Sequence, residues 1–140
     1  MQIRSFRLSD YAAVTQVLQE VLSEGCFAET IEALGRQLAW NSDLILVAVD
    51  NGAVIGVIIG TIDNNHGYYY RIAVASQHQR KGVGKALIQA LRVRFENRRV
   101  RKVMVTVDRH NEPILPLYEK LGFRVSDFLD SSQKLSIVNG

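Results

Sequence analysis

Apolar and polar positions recur along this chain in segments short enough to assign one at a time. Residues 2 to 7 alternate and predict a first strand. Ser9 or Asp10 then opens a helix with Tyr11, Val14, Leu18, Val21 and Leu22 on one face. Glu24-Gly25-Cys26-Phe27-Ala28 reads as a break, followed by a second helix from about Glu29 to Trp40 with Ile31, Leu34 and Leu38 as its apolar face. Leu44 to Val49 is a continuous apolar run, as in a buried strand. Asp50-Asn51-Gly52 is a hairpin turn, and Ala53 to Ile62 is the returning strand. A second turn at Asp63 to Gly67 leads into a strand over Tyr68 to Val74.

Val83, Leu87, Ala90, Leu91 and Phe95 return to helical spacing, and Lys102 to Val107 returns to strand alternation. A last helix is expected from about Glu112 to Leu121, with Pro113 tolerated in its first turn and Gly122 ending it. Arg124 to Phe128 and Lys134 to Val138 read as a closing strand pair. The order βααβββαβαββ describes a mixed α/β sheet: antiparallel hairpins first, then a right-handed strand–helix–strand crossover. With no repeat, linker or low-complexity segment, residues 1–140 are expected to form one domain.

Composition narrows the function classes. A 140-residue chain with 47% hydrophobic residues has room for one core. It shows no signal peptide or membrane-spanning run, and the single Cys26 fits a reducing compartment, so a cytoplasmic protein is expected. His66, His78 and His110 are scattered and no Cys-x-x-Cys occurs, so no metal is expected. The net charge of +3 conceals an asymmetry. Residues 71–109 hold 11 Lys and Arg against 2 acids, whereas residues 1–70 hold 3 Arg against 8 acids. A basic middle suits a polyanionic ligand, and an acidic first half suits a cationic one.

The chemistry concentrates after Val74. Gln79-Arg80-Lys81-Gly82-Val83-Gly84-Lys85 joins the end of a strand to the start of a helix. Glycines there let the backbone approach an anion, the first helical N–H groups point at it, and Arg80, Lys81 and Lys85 add charge. This is a phosphate cradle. A P-loop is excluded, because Gly84-Lys85 is followed by Ala86 and the earlier glycine position is Gln79. A dinucleotide fingerprint is excluded because its third glycine position is Leu87.

The pattern that remains is Gln-x-x-Gly-x-Gly, followed downstream by Asn111-Glu112-Pro113 and Tyr118-Glu119-Lys120-Leu121-Gly122-Phe123. Together these resemble the GNAT superfamily of N-acetyltransferases, in motif between Ile72 and Phe123 and in element order over essentially the whole chain. The resemblance implies a central mixed sheet flanked by helices, in which the strands at Tyr68–Val74 and Lys102–Val107 splay apart around the acyl-carrying arm of acetyl-CoA. It implies that the backbone from Gln79 through Lys85 holds the cofactor pyrophosphate, and that main-chain groups of Ile72, Ala73 and Val74 pair with the pantetheine arm. It also implies that an N–H near Val74 polarises the thioester carbonyl, and that Tyr118 gives a proton to the departing thiolate. A phenol stays protonated at neutral pH, which suits that last role. Asn111 contacts the cofactor in the family, and as a helix N-cap it could serve both purposes.

The implied reaction is direct acetyl transfer to a primary amine of a small molecule or a protein. The acidic first half leans toward a compact cationic acceptor. The general base stays open among Glu29, Glu32, Asp63, His66 and Tyr70. A relative that acetylates the N-terminal alanine of a ribosomal protein carries a Glu where this chain has Thr106, a departure that weakens that acceptor. Cys26 has no neighbouring base and reads as a plain thiol rather than an acylated nucleophile. Tyr68-Tyr69-Tyr70 divides between the two faces of its strand. Two other classes compete: a sensor that binds acyl-CoA without turnover, and a ribosome- or RNA-associated module built on Arg98-Arg99-Val100-Arg101-Lys102. Aromatic interleaving is absent from that run, so nucleic acid is not the expected partner. The resemblance admits a homodimer, although no apolar stripe calls for one.

Overall fold

The computed structural model describes residues 1–107, 112–123 and 128–130. Its strands are β1 (Gln2–Ser5), β2 (Ile45–Asp50), β3 (Ala53–Asp63), β4 (His66–Val74), β5 (Lys102–Val107) and β6 (Phe128–Asp130). Its helices are α1 (Tyr11–Val21), α2 (Glu24–Trp40), α3 (Val83–Asn97) and α4 (Leu115–Lys120). The strands form one sheet in the order β1-β2-β3-β4-β5-β6. β1 to β4 are antiparallel neighbours, and β4–β5 and β5–β6 pair in parallel. The expected mixed α/β sheet is therefore present. The expected closing strand at Lys134–Val138 lies outside the described residues, as does Arg124–Phe128 except for Phe128, where β6 begins.

The two hairpin turns have the geometry their residues favour. Asn51 and Gly52 lie at φ 50° and 78°, and Asn64 and Asn65 at φ 52° and 65°. Left-handed residues in pairs match the right-handed twist of the flanking strands.

Three helix expectations change. α2 begins at Glu24, not Glu29, because Ser23 caps it, its hydroxyl accepting from the Cys26 N–H at 3.4 Å. Gly25 then sits in the first turn rather than in a break. The buried stripe of α1 is Val14, Val17 and Leu18, whereas Tyr11 is 42% exposed at the first helical position, where its phenol stays hydrated. The last helix divides into a 3-10 turn at Glu112–Ile114 and α4. Pro116 has no N–H for the helical ladder and is accommodated only in a first turn, so the α-helix starts at Leu115.

Apolar residues cover both sheet faces. On one, Val14, Leu18 and Leu34 of α1 and α2 pack on Ile45, Val47, Val57 and Ile59. On the other, Leu87, Leu91 and Phe95 of α3 and Tyr118 of α4 pack on Leu46, Ile58, Tyr69 and Ile72. Gly67 lets α3 come close: a Cβ there would stand 2.8 Å from the Phe95 ring.

Two irregularities in β4 position the site. Its pairing with β5 runs from His66↔Lys102 to Tyr69↔Val105 and then stops, while Thr106 and Val107 pair with β6. Beyond Tyr69, β4 thus has β3 on one side and a gap on the other. At the same level the β3–β4 register slips, so that Ile59 faces Arg71 and Gly60 faces Tyr69. Tyr70 is the extra residue of a β-bulge.

Candidate active site

The gap beside β4 opens into a cleft of about 470 Å³. One wall is Ile72, Ala73 and Val74; another is Gln79, Arg80, Gly82, Gly84 and Lys85; α1 adds Val21, and the segment around α4 adds Pro113, Ile114 and Leu117. Eight residues expected to hold a cofactor therefore surround a single cleft. Of the other three, two do not line it and one cannot be placed against it. Lys81 is exposed, the Val83 side chain is buried in the core, and Asn111 lies outside the described residues.

The main chain of β4 is aimed by its neighbours. Ala75 N–H donates to Ile55 O at 2.8 Å, which turns Ala75 toward β3. The Val74 carbonyl instead accepts from Gln79 Nε2 at 2.9 Å. Since successive strand residues direct their main-chain groups to opposite edges, Val74 and Ile72 face the gap, whereas Ala73 faces β3.

The cradle has the backbone an anion requires. Arg80 and Gly82 adopt φ 62° and 85°. The first bond of the α3 ladder runs from Ala86 N–H to Gly82 O at 3.0 Å, so the preceding N–H groups at the helix start have no intrahelical acceptor. A Cβ at Gly84 would stand 3.4 Å from Leu117 and 3.7 Å from Ile72, so a hydrogen there keeps the passage between β4 and α4 open. Unpaired donors, a helix N-terminus and the side chains of Arg80 and Lys85 fit a pyrophosphate, and the apolar walls fit an uncharged arm.

Tyr118 is 2% exposed, next in sequence to the cleft residue Leu117. Its ring lies 5.4 Å from Tyr69 and 5.8 Å from Phe123. Burial raises the phenol pKa well above its ordinary value, with the neighbouring Tyr69 adding to the rise and the positive charge of Arg71 opposing it. The Tyr69 hydroxyl is committed elsewhere, donating to Ile88 O at 3.1 Å.

The base candidates separate by position. Asp63 and His66 lie at the opposite end of β4 from Val74, about 26 Å along the strand. Glu32 is exposed and ion-paired to Arg36. Tyr70 is buried on the α1/α2 side, with Arg71 stacked 4.8 Å over its ring. Arg71 also donates from Nε to Thr30 Oγ1 of α2 at 3.1 Å. Thr106 is buried. Val21 falls on the apolar face of α1 in the sequence, and no motif marks it, Ile114 or Leu117 as a cleft wall.

Several known acetyltransferases are similar to this chain in sequence or in fold. A curated acetyltransferase of Pectobacterium atrosepticum is 28% identical over 135 residues, covering 96% of both chains. The Escherichia coli ribosomal-protein-S18-alanine N-acetyltransferase superposes with a TM-score of 0.67 at 26% identity, over 88% of this chain and 77% of its own. The fold is also that of a Thermoplasma acidophilum PaiA N-acetyltransferase solved with coenzyme A, with a TM-score of 0.73 at 22% identity over 89% of each chain. Residues 12–123, which include the cradle, the gap and α4, match the acetyltransferase (GNAT) family, and the chain belongs to that family of N-acetyltransferases.

Proposed function

We propose that this acetyltransferase uses acetyl-CoA as donor and passes the acetyl group directly to a primary amine. The observation that carries the reading is the open main-chain edge at Ile72 and Val74, lying beside the unbonded N–H groups of the α3 N-terminus in one cleft.

Acetyl-CoA supplies the activated acyl group as a thioester. The chain's own residues do the rest. The cradle from Gln79 to Lys85 binds the pyrophosphate through main-chain N–H groups, with Arg80 and Lys85 adding charge. Ile72 offers strand-like hydrogen bonds to the arm from its main-chain N–H and carbonyl. The Val74 N–H is the donor for the carbonyl oxygen, a role that contributes about 3 kcal/mol where such donors have been removed. Tyr118 donates its proton to the leaving sulfur. Its raised pKa keeps that proton in place across the neutral range. Asn111 is the remaining proposed cofactor contact.

The acceptor class follows from charge. The exposed carboxylates of Glu24 and Glu29 on α2 favour a compact cationic amine. The alanine of ribosomal protein S18, substrate of the E. coli relative, is not carried over, because Thr106 supplies no carboxylate here.

Thiol release from acetyl-CoA across polyamines, aminoglycosides, amino acids and short peptides tests this reading, with Tyr118→Phe in parallel. A hit that collapses in the variant supports both acceptor class and acid. Tight acetyl-CoA binding with no turnover on any amine would favour the sensor instead.

A further inference from the structure

The far end of α3 carries a second concentration of charge, about 22 Å along the helix from the cradle. There Arg92, Arg101 and Lys102 line a cleft of about 320 Å³, together with Glu96 and the edge of Phe123. Arg99, next in sequence to the cleft residue Val100, is exposed. Among the described residues, Arg92, Arg99 and Arg101 have no carboxylate within ion-pair distance, whereas Arg98 is partly neutralised by Asp43 at 3.5 Å. The Arg92 guanidinium lies 5.1 Å over the Phe123 ring, which holds its plane and leaves its N–H edge for a ligand.

The backbone adds a second observation. α3 ends in a Schellman motif, with Val100 N–H bonded to Phe95 O at 3.4 Å and Arg99 N–H to Glu96 O at 3.0 Å. The left-handed position of that motif is normally glycine, but here it is Arg99 at φ 55°. The chain thus places a cation where fold stability alone favours glycine.

We propose that this end of the molecule docks a nucleic-acid phosphate backbone. Guanidinium groups pair with phosphate through two N–H bonds at once. A peptide partner draws most of its affinity from buried aromatic and aliphatic anchors, and the only large apolar side chain exposed along α3 among the described residues is Val93. A phosphate backbone needs no such anchor, because its affinity comes from counterion release. The absence of aromatics within the Arg98–Lys102 run argues against base stacking and leaves backbone recognition untouched. The patch is separate from the acetyl-transfer cleft and would localise the enzyme rather than take part in the reaction.

The test is fluorescence anisotropy of labelled single-stranded RNA, and of DNA of the same sequence, between about 50 and 200 mM salt. Three backbone contacts predict a log–log salt slope of about −2. The double variant Arg99→Gly with Arg101→Gln should make that slope shallower by about 1.4. It should retain the parent's affinity for coenzyme A and melt no lower than the parent, since glycine suits the left-handed position. RNA bound better than DNA, or both alike, each supports backbone docking, and the first outcome identifies RNA as its source. Four results would overturn it: no binding at the lowest salt, equal binding by parent and double variant, tighter binding of polyglutamate than of either nucleic acid, or displacement by saturating coenzyme A, which would locate the contact at the cradle.

Discussion

The side-chain amide of Gln79 donates to the main-chain carbonyl of Val74 at 2.9 Å. This bond closes the loop between β4 and the cradle, and holds the last strand residue with its polar groups toward the gap. Gln79→Ala removes one neutral hydrogen bond, typically about 1 kcal/mol. Its expected effect is a roughly fivefold rise in KM for acetyl-CoA with kcat less affected. Steady-state kinetics with acetyl-CoA varied would show it. An unchanged KM would mean that the loop holds its shape without Gln79.

Gly82 lies at φ 85° immediately before α3, with nothing within 4 Å of a built Cβ. Space is therefore not the constraint; backbone conformation is. Gly82→Ala should lower stability by about 1 kcal/mol. Gly82→Glu should in addition abolish acetyl-CoA binding, by setting a negative charge at the anion site. Isothermal titration of both variants separates the two effects. Full affinity in Gly82→Glu would remove the cradle assignment.

Tyr118→Phe removes the proposed proton donor and leaves the stacking on Tyr69 and Phe123 in place. Turnover should fall by about two orders of magnitude while acetyl-CoA affinity holds. The same variant tests the phenol's ionisation. Burial raises the pKa values of Tyr69 and Tyr118 above the unfolded value of about 10. Their neutral forms favour the fold below that pH, and the benefit is lost as pH rises above it, because the unfolded chain releases these protons first. Urea midpoints for the parent should fall above about pH 10, and less steeply for Tyr118→Phe.

Asp10 shows the opposite sign. Arg4 donates to its two carboxylate oxygens at 2.8 and 3.0 Å, and Arg7 N–H donates to one of them at 2.8 Å. The Arg4 hydrogen bonds, followed by the Arg7 amide, hold its pKa below the usual carboxylate value against the opposing effect of burial. The stabilisation is present above about pH 4 and lost as pH falls through the lowered value. Asp10→Asn should cost about 2 kcal/mol at neutral pH and progressively less in acid. Thermal melts of parent and variant at neutral and acid pH should converge at the acid end. A constant difference would attribute the loss to packing.

The order of elements through α4, both hairpin turns and the glycine-containing loop before α3 could be read from the chain because each is specified locally. Alternation, helical spacing, Asn51-Gly52 and the Gly82/Gly84 pair act over a few residues, so side-chain polarity and backbone freedom encode them directly. α2 starts before Glu29 because the Ser23 cap at its N-terminus tolerates Gly25 in the first turn, a combination that the local pattern around Gly25 does not reveal. The sheet decided what no local pattern carries. A register slip opposite Gly60 inserts Tyr70 into β4, and pairing with β5 ends at Tyr69. These two events depend on strands far apart in sequence, and together they open the edge at Ile72 and Val74. Likewise, only packing placed Tyr118 behind Leu117 and brought Arg92 beside Arg101, because side chains from separate elements meet only where their backbones do. The residues proposed for acetyl transfer are written in the sequence, and the cleft that brings most of them together is a product of register and packing.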